Sequence, residues 1–304
     1  MNFFITILGS GAATPTHVRH CSSQVVNING FRMLLDCGES TQNQLRQYHQ
    51  KMQAMGVIFI SHLHGDHLFG LPGLLASMHL CGRQTPVDIY SPRGLQHALD
   101  VLFNVSDTHL QYELRIHELD LNVPTEIFRN DRCKVTAFPL IHTVPTYGFL
   151  FEEVHDLLNL KRDARTKYNL TPDQCIYIKQ GHDLTLDDGT VIPCEKLTLP
   201  PKTPRRYAYC CDTAYSETLI PIIQGVNLLC MESTFDMSRT NLAGEKLHCT
   251  AQQSALLAQK ANVKQLVLTH FSARYKDITP LVEEAKTVYP NVIPATDGEV
   301  IEIK

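Results

Sequence analysis

Four residues that can hold metals or carry protons fall within six positions: His62, His64, Asp66 and His67. Their offsets of two, four and five do not fit one helical face, and suit a loop that wraps around cations after a strand. Gly65 permits a tight backbone there. His62 and His64 point the same way in extended geometry and can share one metal. Asp66 and His67 can then turn toward a second. Imidazole and carboxylate groups packed this closely would repel or desolvate one another without a cation. Imidazole nitrogen and carboxylate oxygen are donors that zinc accepts. A two-metal site needs about six or seven ligands, one of them a shared carboxylate. His142, Asp212 and His270 complete such a set. Each lies just beyond an apolar, strand-like run, and Asp212, with two oxygens, is the natural bridge.

The elements that must position these groups follow from periodicity. Phe3–Leu8, Ser23–Ile28 and Phe31–Leu35 read as strands, the last two joined by the hairpin signal Asn29-Gly30. Further strands are predicted at Val57–Ile60, Val87–Tyr90, Lys134–Leu140, Tyr147–Phe151, Tyr207–Cys211, Val226–Met231, Gln265–Thr269 and Val300–Ile303. Helices are predicted over Thr41–Met55, Phe69–Leu80, Pro92–Val101, Ala251–Ala261 and Pro280–Tyr289. Early strands followed by alternating strands and helices describe an α/β chain of stacked sheets flanked by helices. The stretch from about 152 to 189 is charged and irregular and reads as an insert in a single domain spanning 1–304.

Composition narrows the classes. The 304 residues are 43% hydrophobic and 19% charged, with net charge −4. This is a soluble, globular balance with no global basic field. No run approaches the roughly 20 apolar residues of a membrane span, and Met1–Gly11 reads as a first strand and not as a signal peptide. Ten scattered cysteines suggest reduced thiols in a cytoplasmic setting.

The stretch Ser61-His62-Leu63-His64-Gly65-Asp66-His67 resembles the signature of the metallo-β-lactamase superfamily. Its continuation Leu68–Leu75, with Leu8–Pro15, Leu35–Gln42 and Leu268–Tyr275, is similar to the short form of ribonuclease Z, the family of tRNA 3′-end processing endonucleases. The resemblance implies an αββα sandwich with a protruding, tRNA-binding arm at about 152–189, two zinc ions per subunit, a precursor tRNA substrate and a homodimer. It assigns His62, His64 and His142 to the first zinc, Asp66, His67 and His270 to the second, and Asp212 to both. It makes Asp66 the proton acceptor for the attacking water, His248 the proton donor and Glu232 the carboxylate that positions His248.

Three positions depart from the family pattern. Met231 and Cys249 stand where histidine and serine are usual, and Asn169–Gly181 lacks the usual Gly-Pro pair. The expected chemistry is hydrolysis of a phosphodiester, with His248 protonating the ribose 3′-oxygen as it leaves. Phosphate contacts are expected from Arg274 and from Lys161, Arg162 and Arg165. A phosphodiesterase for small or cyclic phosphodiesters shares the same site. A metal-binding protein without catalysis would not need the donor.

Overall fold

The computed structural model describes residues 2–155 and 157–304, so Met1 and Asp156 lie outside the described residues. They form two compact units: one of residues up to Arg129, Cys133–Glu152 and Arg205–Lys304, the other of Asn130–Arg132 and Glu153–Pro204.

The first unit holds two seven-stranded sheets. The first runs in the order Val300–Glu302, Phe3–Gly9, Ser23–Ile28, Phe31–Leu35, Val57–Phe59, Val87–Pro92, Leu114–Leu119. The second runs Val292–Pro294, Leu266–Thr269, Leu228–Glu232, Arg206–Cys210, Tyr147–Glu153, Cys133–Pro139, Thr125–Arg129. Side chains alternate across each strand, so the central strands are apolar on both faces. Met33 and Leu35 enter the core between the sheets while Leu34 faces the helices Thr41–Gln47 and Leu71–Leu80. Tyr207 and Tyr209 face inward while Ala208 and Cys210 meet the side covered by Ala251–Lys260 and Thr279–Lys286. Phe59 of one sheet meets Phe149 of the other with ring centroids 5.3 Å apart. Helices therefore cover the outer face of each sheet, giving the αββα sandwich.

Three strands of the second sheet, Arg206–Cys210, Leu228–Glu232 and Leu266–Thr269, run parallel, as do Phe31–Leu35 and Val57–Phe59 in the first. Their carboxyl ends release the chain at Asp36, Ser61, Cys211, Ser233 and His270. Parallel strands thus bring residues far apart in sequence to one edge, the place where open α/β sheets bind ligands.

Local chemistry shifts several boundaries. The Asn29-Gly30 hairpin forms, with φ of 51° and 86° at the two turn residues. The helix expected over Thr41–Met55 stops at Gln47, and His49, at φ 56°, breaks it before a short 3₁₀ turn at Met52–Ala54. Pro92 closes a strand where a helix start was expected. That helix runs Leu95–Val105, behind Gly94 at φ 107°.

The second unit has its own small core of Ala164, Leu170, Ile178, Leu184, Ile192, Cys194 and Leu197. The insert expected at about 152–189 falls within it, but the unit continues to Pro204. The reason is pairing: Asn159–Leu160 forms a ladder with Thr198–Leu199. Its helix Pro172–Lys179 starts on a capping box between Thr171 and Gln174, with Pro172 in the first turn.

Candidate metal centre and active site

All seven predicted ligands gather at the strand ends of the first unit. His62, His64, His142 and Asp212 place their donor atoms within 4.8 Å of one another, and so do His67, Asp212 and His270, together with the Cys211 thiol. Asp212 divides its oxygens between the groups. Its Oδ2 lies 3.5 Å from His62 Nε2 and 3.7 Å from His142 Nε2. Its Oδ1 lies 3.4 Å from His67 Nε2 and 3.1 Å from His270 Nε2. Asp66 Oδ2 joins the second group, 3.5 Å from His67 Nε2 and 3.4 Å from His270 Nε2. The loop expected to carry Asp66 and His67 contains one helical turn, Gly65–Leu68, and the His67 ring stays beside that of His62, with centroids 4.1 Å apart.

The hydrogen bonds behind the imidazoles fix which nitrogen faces inward. His67 Nδ1 lies 2.8 Å from Asp36 Oδ2 and His142 Nδ1 3.1 Å from the Leu247 carbonyl, both pure acceptors. Ser61 Oγ donates to Asp36 Oδ2 at 2.8 Å and so accepts from His62 Nδ1 at 3.0 Å. Thr234 Oγ1 donates to Glu232 Oε2 at 2.6 Å and so accepts from His270 Nδ1 at 2.9 Å. These partners assign the proton to Nδ1 in all four rings, leaving four Nε2 lone pairs aimed at one space. His64 adds Nδ1, 3.1 Å from His62 Nε2 and 3.3 Å from His142 Nε2. Convergent lone pairs beside ionised carboxylates are the donor set of a cation site.

Electrostatics agree. Burial holds His62 well below the ordinary histidine range, with His67 adding to the effect, and burial likewise lowers His142. Burial opposes the charge on Asp212, but His270, His67 and His62 hold it well below the usual carboxylate range. His67 is the exception. Burial opposes its charge, yet Asp212, Asp36 and Asp66 together hold it well above its ordinary value. Positive charge is therefore favoured at the point where a cation would replace that proton. The residues fit a pair of divalent cations.

His248 stands beside this set. Its Nδ1 lies 2.8 Å from Glu232 Oε1, and Glu232 is fully buried. Glu232 Oε1 also accepts the Thr213 amide at 2.7 Å. Burial lowers the His248 pKa, but the Glu232 charge and hydrogen bond outweigh it and raise the value to about 9. A cleft of about 290 Å³ exposes His64, Asp66, His142, His248, His270 and Arg274 along its walls. Arg274 lies over the Phe235 ring, 5.0 Å from its centroid.

The structure adds residues that the spacing did not reveal. Asp36 and Thr234 orient ligands, and Lys246 lines the cleft. Asp36 follows an apolar strand, as Asp212 does, which was the available signal. Lys161 differs from its neighbours. Its Nζ meets the carbonyls of Lys196 and Glu195 at 2.8 and 3.4 Å, while Arg162 and Arg165 are exposed.

Comparison with known proteins fits this arrangement. A family model described as anti-Pycsar protein Apyc1 matches residues 3–192. Ribonuclease Z of Porphyromonas gingivalis is 38% identical over 301 residues, 99% of each chain. The crystal structure of human tRNase Z, short form, superposes with a TM-score of 0.72 at 28% identity, over 99% of both chains. YhfI of Bacillus subtilis, a metallo-β-lactamase fold protein, gives 0.71 at 18% identity over 99% of this chain and all of its own. The chain belongs to the ribonuclease Z family, on a metallo-β-lactamase fold whose residues 3–192 also match the sequence family of the Apyc1 model.

Proposed function

We propose that this protein is a zinc-dependent endoribonuclease that removes the 3′ trailer from precursor tRNA. Hydrolysis of one phosphodiester leaves a 3′-hydroxyl on the tRNA and a 5′-phosphate on the trailer. The observation that carries the reading is His248 Nδ1 held 2.8 Å from the buried Glu232 carboxylate, in the same cleft as the ligand set. A ribose 3′-oxygen leaves poorly without a proton, and His248 supplies one. The full-length likeness to ribonuclease Z relatives supports tRNA as the substrate class.

In this reading His62, His64 and His142 hold one zinc, Asp66, His67 and His270 the other, and Asp212 both. When bound, such a pair supplies Lewis acidity toward a phosphoryl oxygen and makes water a stronger nucleophile. The chain's own groups do the rest. Asp66 Oδ2 is anchored by the Ala13 amide at 2.7 Å, so the carboxylate is fixed as it accepts the water's proton. Glu232 keeps His248 oriented while Nε2 gives its proton to the leaving oxygen. Arg274 and Lys246 offer charge to phosphates at the cleft wall. In the second unit Arg162 and Arg165 are the exposed RNA contacts, and Lys161 braces that unit through carbonyls. We place the enzyme in the cytoplasm as a homodimer. Among the described residues no helix is long and apolar enough to cross a membrane.

The test is incubation with an end-labelled precursor tRNA carrying a 3′ trailer, with and without a chelator, beside bis(p-nitrophenyl) phosphate. The expected result is one chelator-sensitive cut near the discriminator base. Hydrolysis of the small diester alone would move the substrate to the small-phosphodiester class and leave the metal centre standing.

A further inference from the structure

We infer that a groove beside the ligand cleft is a subsite for the nucleobase 3′ to the cleaved phosphate, which stacks on Phe69 and is read by Glu39. This rests on the ribonuclease reading above. Single exposed aromatics are ordinary on protein surfaces, and Phe69 is 72% exposed. What sets it apart is where it is held. It lines a groove of about 480 Å³ together with Ala13, Glu39, His64, Gly65 and Asp66. Ala13, His64 and Asp66 also line the cleft that holds His248, so the two spaces adjoin.

The chemistry gives the groove a direction. His248 lines the cleft but not the groove. The oxygen that His248 protonates belongs to the nucleotide 5′ to the scissile phosphate. The next nucleotide is joined to the same phosphorus through its 5′-oxygen, and that bond stays intact. The groove shares Ala13, His64 and Asp66 with the cleft but not His248, and it is where we place that nucleotide.

The groove walls are locked. A Cβ on Gly65 would lie 2.3 Å from Phe69 Cε2, so the ring rests directly on the ligand loop. A Cβ on Gly38 would lie 2.3 Å from the Asp66 carbonyl oxygen, and one on Gly70 would lie 2.1 Å from that of Gly38. The Cys37 amide donates to the His67 carbonyl at 2.8 Å, and the Gly70 amide to the Cys37 carbonyl at 2.9 Å. The loops that present Glu39 and Phe69 are thus interlocked and pre-organised for a rigid ligand. A base offers a π-face to Phe69. The exposed Glu39 carboxylate accepts N–H groups only. Guanine presents two adjacent N–H donors on its Watson–Crick edge, which matches a carboxylate best.

The experiment uses precursor tRNAs identical except at the first trailer nucleotide, which is guanosine, inosine or abasic, with kcat/KM measured for each. Stacking on an aromatic side chain is worth roughly 5- to 150-fold per base, so wild type should prefer guanosine over the abasic RNA by a factor in that range. Phe69→Ala should bring the ratio close to one, and Phe69→Leu should leave it in between. Glu39→Gln should erase the preference for guanosine over inosine. An unchanged guanosine-to-abasic ratio in Phe69→Ala, or no such preference in wild type, overturns the subsite. Failure of wild type to cleave any of the three RNAs overturns the ribonuclease reading itself.

Discussion

His248→Ala is expected to lower kcat on precursor tRNA by roughly 10²–10⁴-fold, the usual worth of a positioned acid, while bound metal stays at the wild-type level. The imidazole is hydrogen-bonded to Glu232 and stacks on the His270 ring, centroids 5.5 Å apart, and its pKa of about 9 keeps the donor form dominant at neutral pH. The loss should be far smaller on bis(p-nitrophenyl) phosphate, because p-nitrophenolate is a weak base and leaves without a proton. Equal losses on both substrates would mean that the ring shapes the site and donates nothing. Full retention on tRNA would assign the proton to another group. Glu232→Gln should fall in the same direction and also loosen metal binding, since Glu232 reaches His270 through Thr234.

Asp36→Ala is the substitution expected to do most damage to the fold and the metal centre together. Asp36 is fully buried. Its Oδ1 accepts the Ser61 amide at 2.7 Å, and its Oδ2 accepts Ser61 Oγ, Tyr209 OH and His67 Nδ1, each at 2.8 Å. Alanine leaves these donors unpaired in a dry interior. Removing one partner of such a buried charged network costs about 3–5 kcal/mol, and losing a ligand's supporting carboxylate lowers metal affinity by roughly 10–100-fold. Denaturant unfolding and a metal titration measure the two effects separately. Wild-type values in both would show that Ser61 and water can hold His67 unaided. Asp36→Asn, which keeps the shape, should recover part of the stability and less of the affinity.

The ligand loop was legible because His62, His64, Asp66 and His67 are consecutive enough to be improbable without a cation. Strand ends made His142, Asp212 and His270 legible, since apolar runs mark buried strands and a polar residue just beyond one marks the edge. Asp36 obeys the same rule but stands alone, and its role depends on Tyr209 and His67, which only the folded sheets bring near. Thr234 is a common residue whose hydroxyl direction no spacing encodes. Pro92 misled because proline suits both a strand's last residue and a helix's first turn. The second unit ran past residue 189 because its closing strand, Thr198–Leu199, pairs with a segment about forty residues earlier.

The division of ligands between two sheets has a thermodynamic consequence. His62 and His67 come from the first sheet, Asp212 and His270 from the second. No chain with only one sheet formed possesses the complete donor set, so cations act as ligands of the finished fold alone. By mass action, free metal at a hundred times its dissociation constant adds about 2.7 kcal/mol to the unfolding free energy for each site. The melting temperature should therefore climb with free divalent metal and fall on chelation, which a thermal melt with and without chelator measures.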